Sequence, residues 1–139
     1  MADVFSQKKR SWVMSRIGQR DTRPEIVARS YLHAEGFRFR LHASLPGKPD
    51  IVLPRFRTAI FINGCFWHHH ARCPRATLPT TNRDFWEQKI LRNVKRDRRV
   101  RKQLREMGWS VMTIWQCELR NIDERTACLG RLVRKLAKT

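Results

Sequence analysis

The chain has 139 residues, 41% of them hydrophobic, with 30 Lys and Arg against 12 Asp and Glu and a formal net charge of +18. That length suits one domain with its own core, and five tryptophans exclude a disordered basic tail. No apolar run nears the roughly 20 residues of a membrane span, and Met1–Phe5 lacks a signal-peptide layout, so a cytoplasmic protein is expected. Such a charge points first to a nucleic acid partner, although anionic membranes and acidic proteins attract similar surfaces.

Residues 11–20 read as a short basic helix, or as an arm. A helix follows, with Thr22 as N-cap, Pro24 in the first turn, Glu25 completing a T-x-x-E box and Gly36 as its stop. Phe37-Arg38-Phe39-Arg40-Leu41 alternates as a strand does. After a loop over 44–49, two apolar runs, Ile51–Leu53 and Thr58–Ile62, are separated by Pro54–Arg57, which is hairpin spacing. A turn centred between Arg55 and Phe56 sets Asp50 opposite Phe61 and close to Ile62.

Residues 71–81 read as irregular. A long helix is expected from near Asn82 to just before Gly108, its apolar side formed by Ile90, Leu91, Val94, Leu104 and Met107. Between Arg92 and Arg105 it carries eight basic residues and one acid, Asp97. Trp109–Trp115 alternates as a strand with Trp109, Val111, Thr113 and Trp115 on one face. An amphipathic helix from about Asp123 uses Leu129, Leu132, Val133 and Leu136. No repeat or linker interrupts the chain. The expected class is α/β, helices around a central mixed sheet.

Cys65-Phe66-Trp67-His68-His69-His70 and Cys73 crowd metal-ligand types into one stretch, and Cys117 lies just past the last strand. In a reducing cytosol, cysteines interleaved with histidines favour a metal over disulfides. Cys65, Cys73, Cys117 and one histidine would make a Cys₃His zinc site, against the alternative of buried free thiols. An extended backbone would point His68 and His70 one way and His69 the other. Cys128, between Ala127 and Leu129, reads as core.

Several segments are similar to the very short patch repair (Vsr) DNA mismatch endonucleases: Pro49-Asp50, Gly64-Cys65-Phe66-Trp67-His68, Asn82-Arg83-Asp84-Phe85-Trp86, Asn93–Arg98, Gly108-Trp109 and Trp115-Gln116-Cys117. The opening segment with Met14, Arg20-Asp21-Thr22 and Glu25 is similar too. The resemblance implies a restriction-endonuclease-like fold with a structural zinc over residues 1–139, residues 1–20 forming a DNA-contacting arm. It implies nicking of double-stranded DNA beside the thymine of a T:G mismatch left by 5-methylcytosine deamination. It places catalytic magnesium on Asp50 and the Ile62 carbonyl, proton transfer on His68, and supporting roles on Glu25 and Asp97. Zinc falls to Cys65, His70, Cys73 and Cys117, and wedging into the duplex to Phe66, Trp67, Trp86 and Met14. Asn63 stands where members often carry histidine, and Ile62 where they carry threonine. One extra residue between Cys65 and Cys73 leaves His69 and His70 both open as the zinc ligand.

The residues support that chemistry independently. Magnesium prefers carboxylate, carbonyl and water oxygens, and histidine moves protons near neutrality. Phe61-Ile62-Asn63 lacks the acid-x-lysine triplet of restriction-type sites, so His68 is expected to fill that role. A nick needs one centre, so a monomer is expected. The alternatives are a zinc-stabilised DNA-binding module without catalysis, and a restriction or resolvase-type nuclease with another substrate. For Glu25 a plain capping role, and for Asp97 a helix salt bridge, are the competing readings.

Overall fold

The computed structural model describes residues 23–41 and 43–138. Helix α1 (Arg23–Ala34) ends where Gly36 was expected to stop it, with Gly36 N–H on His33 O and Phe37 N–H on Leu32 O. Strand β1 (Ile51–Leu53) pairs antiparallel with β2 (Thr58–Asn63) in the register Ile51↔Ile60, Val52↔Ala59, Leu53↔Thr58. Continuing that register sets Asp50 opposite Phe61, as the hairpin spacing predicts. The connection is a 3-10 turn over Pro54–Phe56, closed by Arg57 in the left-handed region at φ 45.

A 24-residue helix, α2 (Arg83–Glu106), leads into β3 (Ser110–Trp115), which lies parallel to β2. The reversal between them ends the helix with Gly108 N–H on Arg105 O and Trp109 N–H on Leu104 O. Gly108, at φ +89, takes the left-handed position that a side chain disfavours. Helix α3 (Ile122–Ala137) completes the chain, capped by Asn121, whose side chain accepts from Glu124 N–H at 2.9 Å.

The sheet order is β1-β2-β3, a mixed three-stranded sheet between two helical layers. Period-two alternation splits its side chains. Ile51, Leu53, Ile60 and Ile114 pack with Ala28 and Leu32 of α1 and with Leu129, Leu132 and Leu136 of α3. Ala59, Phe61 and Val111 face Val100 and Leu104 of α2 on the other side. Cys128 is buried in the first of these clusters, as expected of a core residue.

Two expectations change. The 37–41 segment is no full strand. It meets the sheet at a single bridge, Arg40 with Val52, because three-residue β1 turns only Val52's backbone groups outward. The buried side of α2 is Ile90, Val100 and Leu104, while Leu91 and Met107 are exposed. The packed stripe runs Trp86, Ile90, Asn93, Asp97, Val100, Leu104, spaced by four and three, and its polar centre disguises it in the sequence.

The loop before Asp50 is pressed onto α2. A Cβ on Gly47 would lie 2.4 Å from a Val100 methyl carbon, so only glycine permits this approach. Pro49 beside Asp50 is fully buried.

Candidate active site and metal cluster

The segment after β2 forms one helical turn rather than an extension. His68 N–H bonds Gly64 O, His69 N–H bonds Phe66 O, and His70 N–H bonds Cys65 O at 2.9 Å. His69 sits at φ 50, so the turn ends in a left-handed reversal, the same device that closes α1 and α2. That reversal corrects the expectation that His68 and His70 share a direction. It sends them apart and leaves His69 exposed.

His70 joins the thiols. The ligand atoms of Cys65, His70, Cys73 and Cys117 all lie within 4.8 Å of one another. Cys117 Sγ is 3.4 Å from His70 Nδ1, close to the edge of a zinc tetrahedron, roughly 3.5 Å from the usual bond lengths. The set can therefore hold a soft metal, with His70 and not His69 as its imidazole. Burial first, then the neighbouring Cys65 and Cys73 thiols, push the Cys117 thiol up to about 12. A cation reverses that penalty by favouring thiolates. The Trp115 ring lies parallel to His70, 4.2 Å between centroids, and fixes the imidazole plane.

His68 points the other way. Its Nδ1–H donates to Asp97 Oδ2 at 2.6 Å, which leaves Nε2 as the proton-exchanging nitrogen. One helical turn earlier on α2, Asn93 Nδ2 donates to the Trp67 carbonyl at 3.0 Å. Two α2 residues, four apart, thus hold the backbone and side chain of consecutive turn residues.

Asp50 is held at the end of β2, its Oδ2 accepting the Ile62 N–H at 2.6 Å. Burial pushes its carboxyl up to about 6, the Ile62 N–H opposes this, and the adjacent Glu25 carboxylate adds to it. Glu25 is buried and ion-paired with Arg29 at 3.1 Å. Two carboxylates meeting in a half-desolvated place form an oxygen donor set, which fits a hard divalent cation.

Phe66, Trp67 and Trp86 form a cluster with centroids 5.2 to 5.7 Å apart. Phe66 is half-buried and Trp67 exposed. Two members were not foreseen: Phe85, exposed and edge-on to Trp86 at 5.2 Å, and Lys89, its ammonium 5.2 Å from the Trp67 centroid. Helical spacing from Trp86 to Lys89 is the signal that would have found the lysine. Lys89 also borders a basic groove with Arg92, Lys95, Arg96 and Arg99. Met14, Thr22 and the arm over 1–20 lie outside the described residues.

The sequence model of the family described as DNA mismatch endonuclease Vsr matches residues 2–75. The chain belongs to this family. The DNA mismatch endonuclease Vsr of Escherichia coli is 46% identical over 127 residues, which cover 91% of this chain and 81% of that protein. The type II nicking enzyme V.NmeAIP of Neisseria meningitidis is 42% identical over 137 residues, 98% of this chain and 97% of its own. V.XorIIP of Xanthomonas oryzae, also a type II nicking enzyme, is 42% identical over 134 residues, 96% and 98% of the two chains. Membership in the Vsr family makes the chain a DNA endonuclease. Among the described residues, no helix is long and apolar enough to cross a membrane.

Proposed function

We propose that this Vsr-family endonuclease nicks one strand of duplex DNA beside the thymine of a T:G mismatch, by magnesium-dependent hydrolysis. The observation that carries the reading is the Asp50 carboxylate at the strand end, fixed by Ile62 N–H at 2.6 Å beside buried Glu25. Asp50 and the Ile62 carbonyl would hold magnesium, which when bound neutralises charge gathering on the attacked phosphate. Cys65, His70, Cys73 and Cys117 would hold zinc and stiffen the turn carrying His68.

The chain's own residues do the rest. Asp97 fixes the His68 tautomer, so that Nε2 can take a water proton as the water oxygen bonds phosphorus, or return a proton to the leaving oxygen. Glu25 braces Asp50. Phe66, Trp67 and Trp86, with Met14 from the arm, wedge between base pairs where unstacking costs least, at a mismatch. Lys95, Arg96 and Arg99 meet phosphates and set position without reading sequence. A mixed sheet between helices, with an acid at a strand end, supports a restriction-endonuclease-like fold for a single domain over 1–139.

The test is a nicking assay on T:G duplex, matched duplex and junction DNA, with magnesium or EDTA. Nicking confined to T:G duplex with magnesium is expected, and Asp50→Ala should lower it by roughly 10³-fold or more while DNA binding persists. Normal cutting by Asp50→Ala would displace the centre from this strand end. Tight binding without cleavage of any duplex would favour a DNA-binding module.

A further inference from the structure

The outer edges of the sheet differ. On β1, Arg40 exchanges both backbone bonds with Val52, at 2.8 and 2.9 Å. On β3, no strand lies alongside among the described residues. Ser110 N–H donates to Arg57 O at 2.8 Å, which fixes the alternation. Ser110, Met112 and Ile114 turn their backbone polar groups toward β2, and Val111 and Thr113 turn theirs outward. Trp115, next in the outward set, gives its N–H to Glu118 Oε1 at 3.0 Å, a side chain in the place of a strand.

Exposed edges are usually blunted by lysine, proline or a bulge. Ser110-Val111-Met112-Thr113-Ile114-Trp115 has no charge and no proline, and is rich in strand formers. Beside it opens a cavity of about 350 Å³, bordered by Ser110, Val111 and Met112, with Arg105 of α2 and Lys135 of α3. The edge is therefore the floor of a slot between the two helical layers, with Arg105 as a cation at its border. Thr58 also lines this slot, so it lies at the start of β2, away from the Ile62 end that holds Asp50.

We propose that this slot takes an extended, acidic segment of a partner protein as a fourth strand. Main-chain bonds to Val111 and Thr113 set its register, and its carboxylates face Arg105. A second copy is disfavoured, because it brings another +18 and its own basic slot. Residues 1–22 are disfavoured too, with five basic residues against two acids. DNA has no peptide edge to add.

The probe is a fluorescent octapeptide of alternating threonine and valine flanked by glutamate pairs, titrated into the full chain and followed by anisotropy and amide hydrogen exchange. In the free protein the Val111 and Thr113 amides exchange fast and Met112 is protected. The probe slows both by about ten-fold or more. Thr113→Pro removes one outward N–H and spares the β2 ladder, and should weaken the probe about ten-fold. Arg105→Glu should do the same, while Lys138→Glu, an equal charge change outside the slot, costs less than about two-fold. Both slot variants keep T:G nicking near the parent rate.

A probe N-methylated along one edge should fail to bind. Equal binding of that probe, or equal loss in Lys138→Glu and Arg105→Glu, would reduce the effect to bulk charge and overturn the proposal. So would amides at Val111 and Thr113 that are protected before the probe is added, with sedimentation separating a second copy from residues 1–22 as the cover. Protection of these amides by a duplex oligonucleotide alone would overturn it as well.

Discussion

The Cys65–His70–Cys73–Cys117 cluster and the Asp50–Glu25 pair are both made of metal-ligating residue types, and they are built on opposite plans. The first brings three thiols and an imidazole together within 4.8 Å from two separate stretches of chain, the four ligands that a tetrahedral zinc site takes. In the second, Asp50 and the strand-end Ile62 carbonyl would hold magnesium while Glu25 braces the carboxylate, and so small an oxygen set would leave room for water and phosphate. A closed set stiffens the protein, whereas an open one stays incomplete until substrate arrives. His69 divides the turn, since its reversal turns His70 toward the thiols and His68 toward Asp97.

The sharpest way to break the contrast is to open the closed set. Cys117→Ala removes the ligand that ties β3's end to the turn, and should cost on the order of several kcal/mol through lost zinc affinity. Thermal denaturation with zinc content by atomic absorption checks it. A variant that melts like the parent and retains zinc would mean that three ligands suffice.

Asp50→Asn probes the open set with the opposite sign. An acid whose folded carboxyl is raised to about 6 from 3.8 binds its proton more tightly folded than unfolded. Stability therefore falls as pH rises from about 4 to about 6, and the cost is complete above that window. Relieving it should stabilise zinc-loaded, magnesium-free protein at pH 7.5 by up to about 3 kcal/mol, with no gain near pH 4. Melting curves at the two pH values decide. The same substitution should abolish nicking, so stability and activity part company here as they do not at Cys117.

Asp97→Asn tests whether His68 belongs to the open set. Loss of the carboxylate on Nδ1 should lower the single-turnover nicking rate by roughly 10²-fold with little change in binding. It should also shift the pH–rate profile, which a purely structural helix contact would not do. The smallest effect is at the divide. His69→Gly relieves a left-handed side chain worth about 1 kcal/mol but adds freedom to the unfolded chain, for a net gain of about 0.5 kcal/mol. A loss of zinc on that substitution would show that the imidazole at 69 matters.

Much of this arrangement is legible in the sequence because it follows local rules. Gly36 and Gly108 stop helices, and the hairpin spacing sets Asp50 beside Ile62 to the residue. The Cys/His cluster is legible in its cysteines, while the choice of His70 needed the reversal at His69, which no alternation pattern displays. The stripe on α2 was misread for a related reason. Asn93 and Asp97 occupy positions where packing pattern leads one to seek apolar residues, and Leu91, apolar but off the stripe, took their place. The 37–41 segment alternates well, yet its partner strand is too short to pair with more than Arg40. Trp115 beneath His70 and Lys89 above the rings depend on tertiary approach, which sequence spacing only hints at.

The contact between Gly47 and Val100 has a bearing on where tolerance to change runs out. The loop it anchors reaches Asp50 three residues later, so one added methyl at 47 would lever the carboxylate off its seat while every catalytic side chain stayed intact. The aim of the proposed cutting centre is inherited from a hydrogen atom on the far side of a loop.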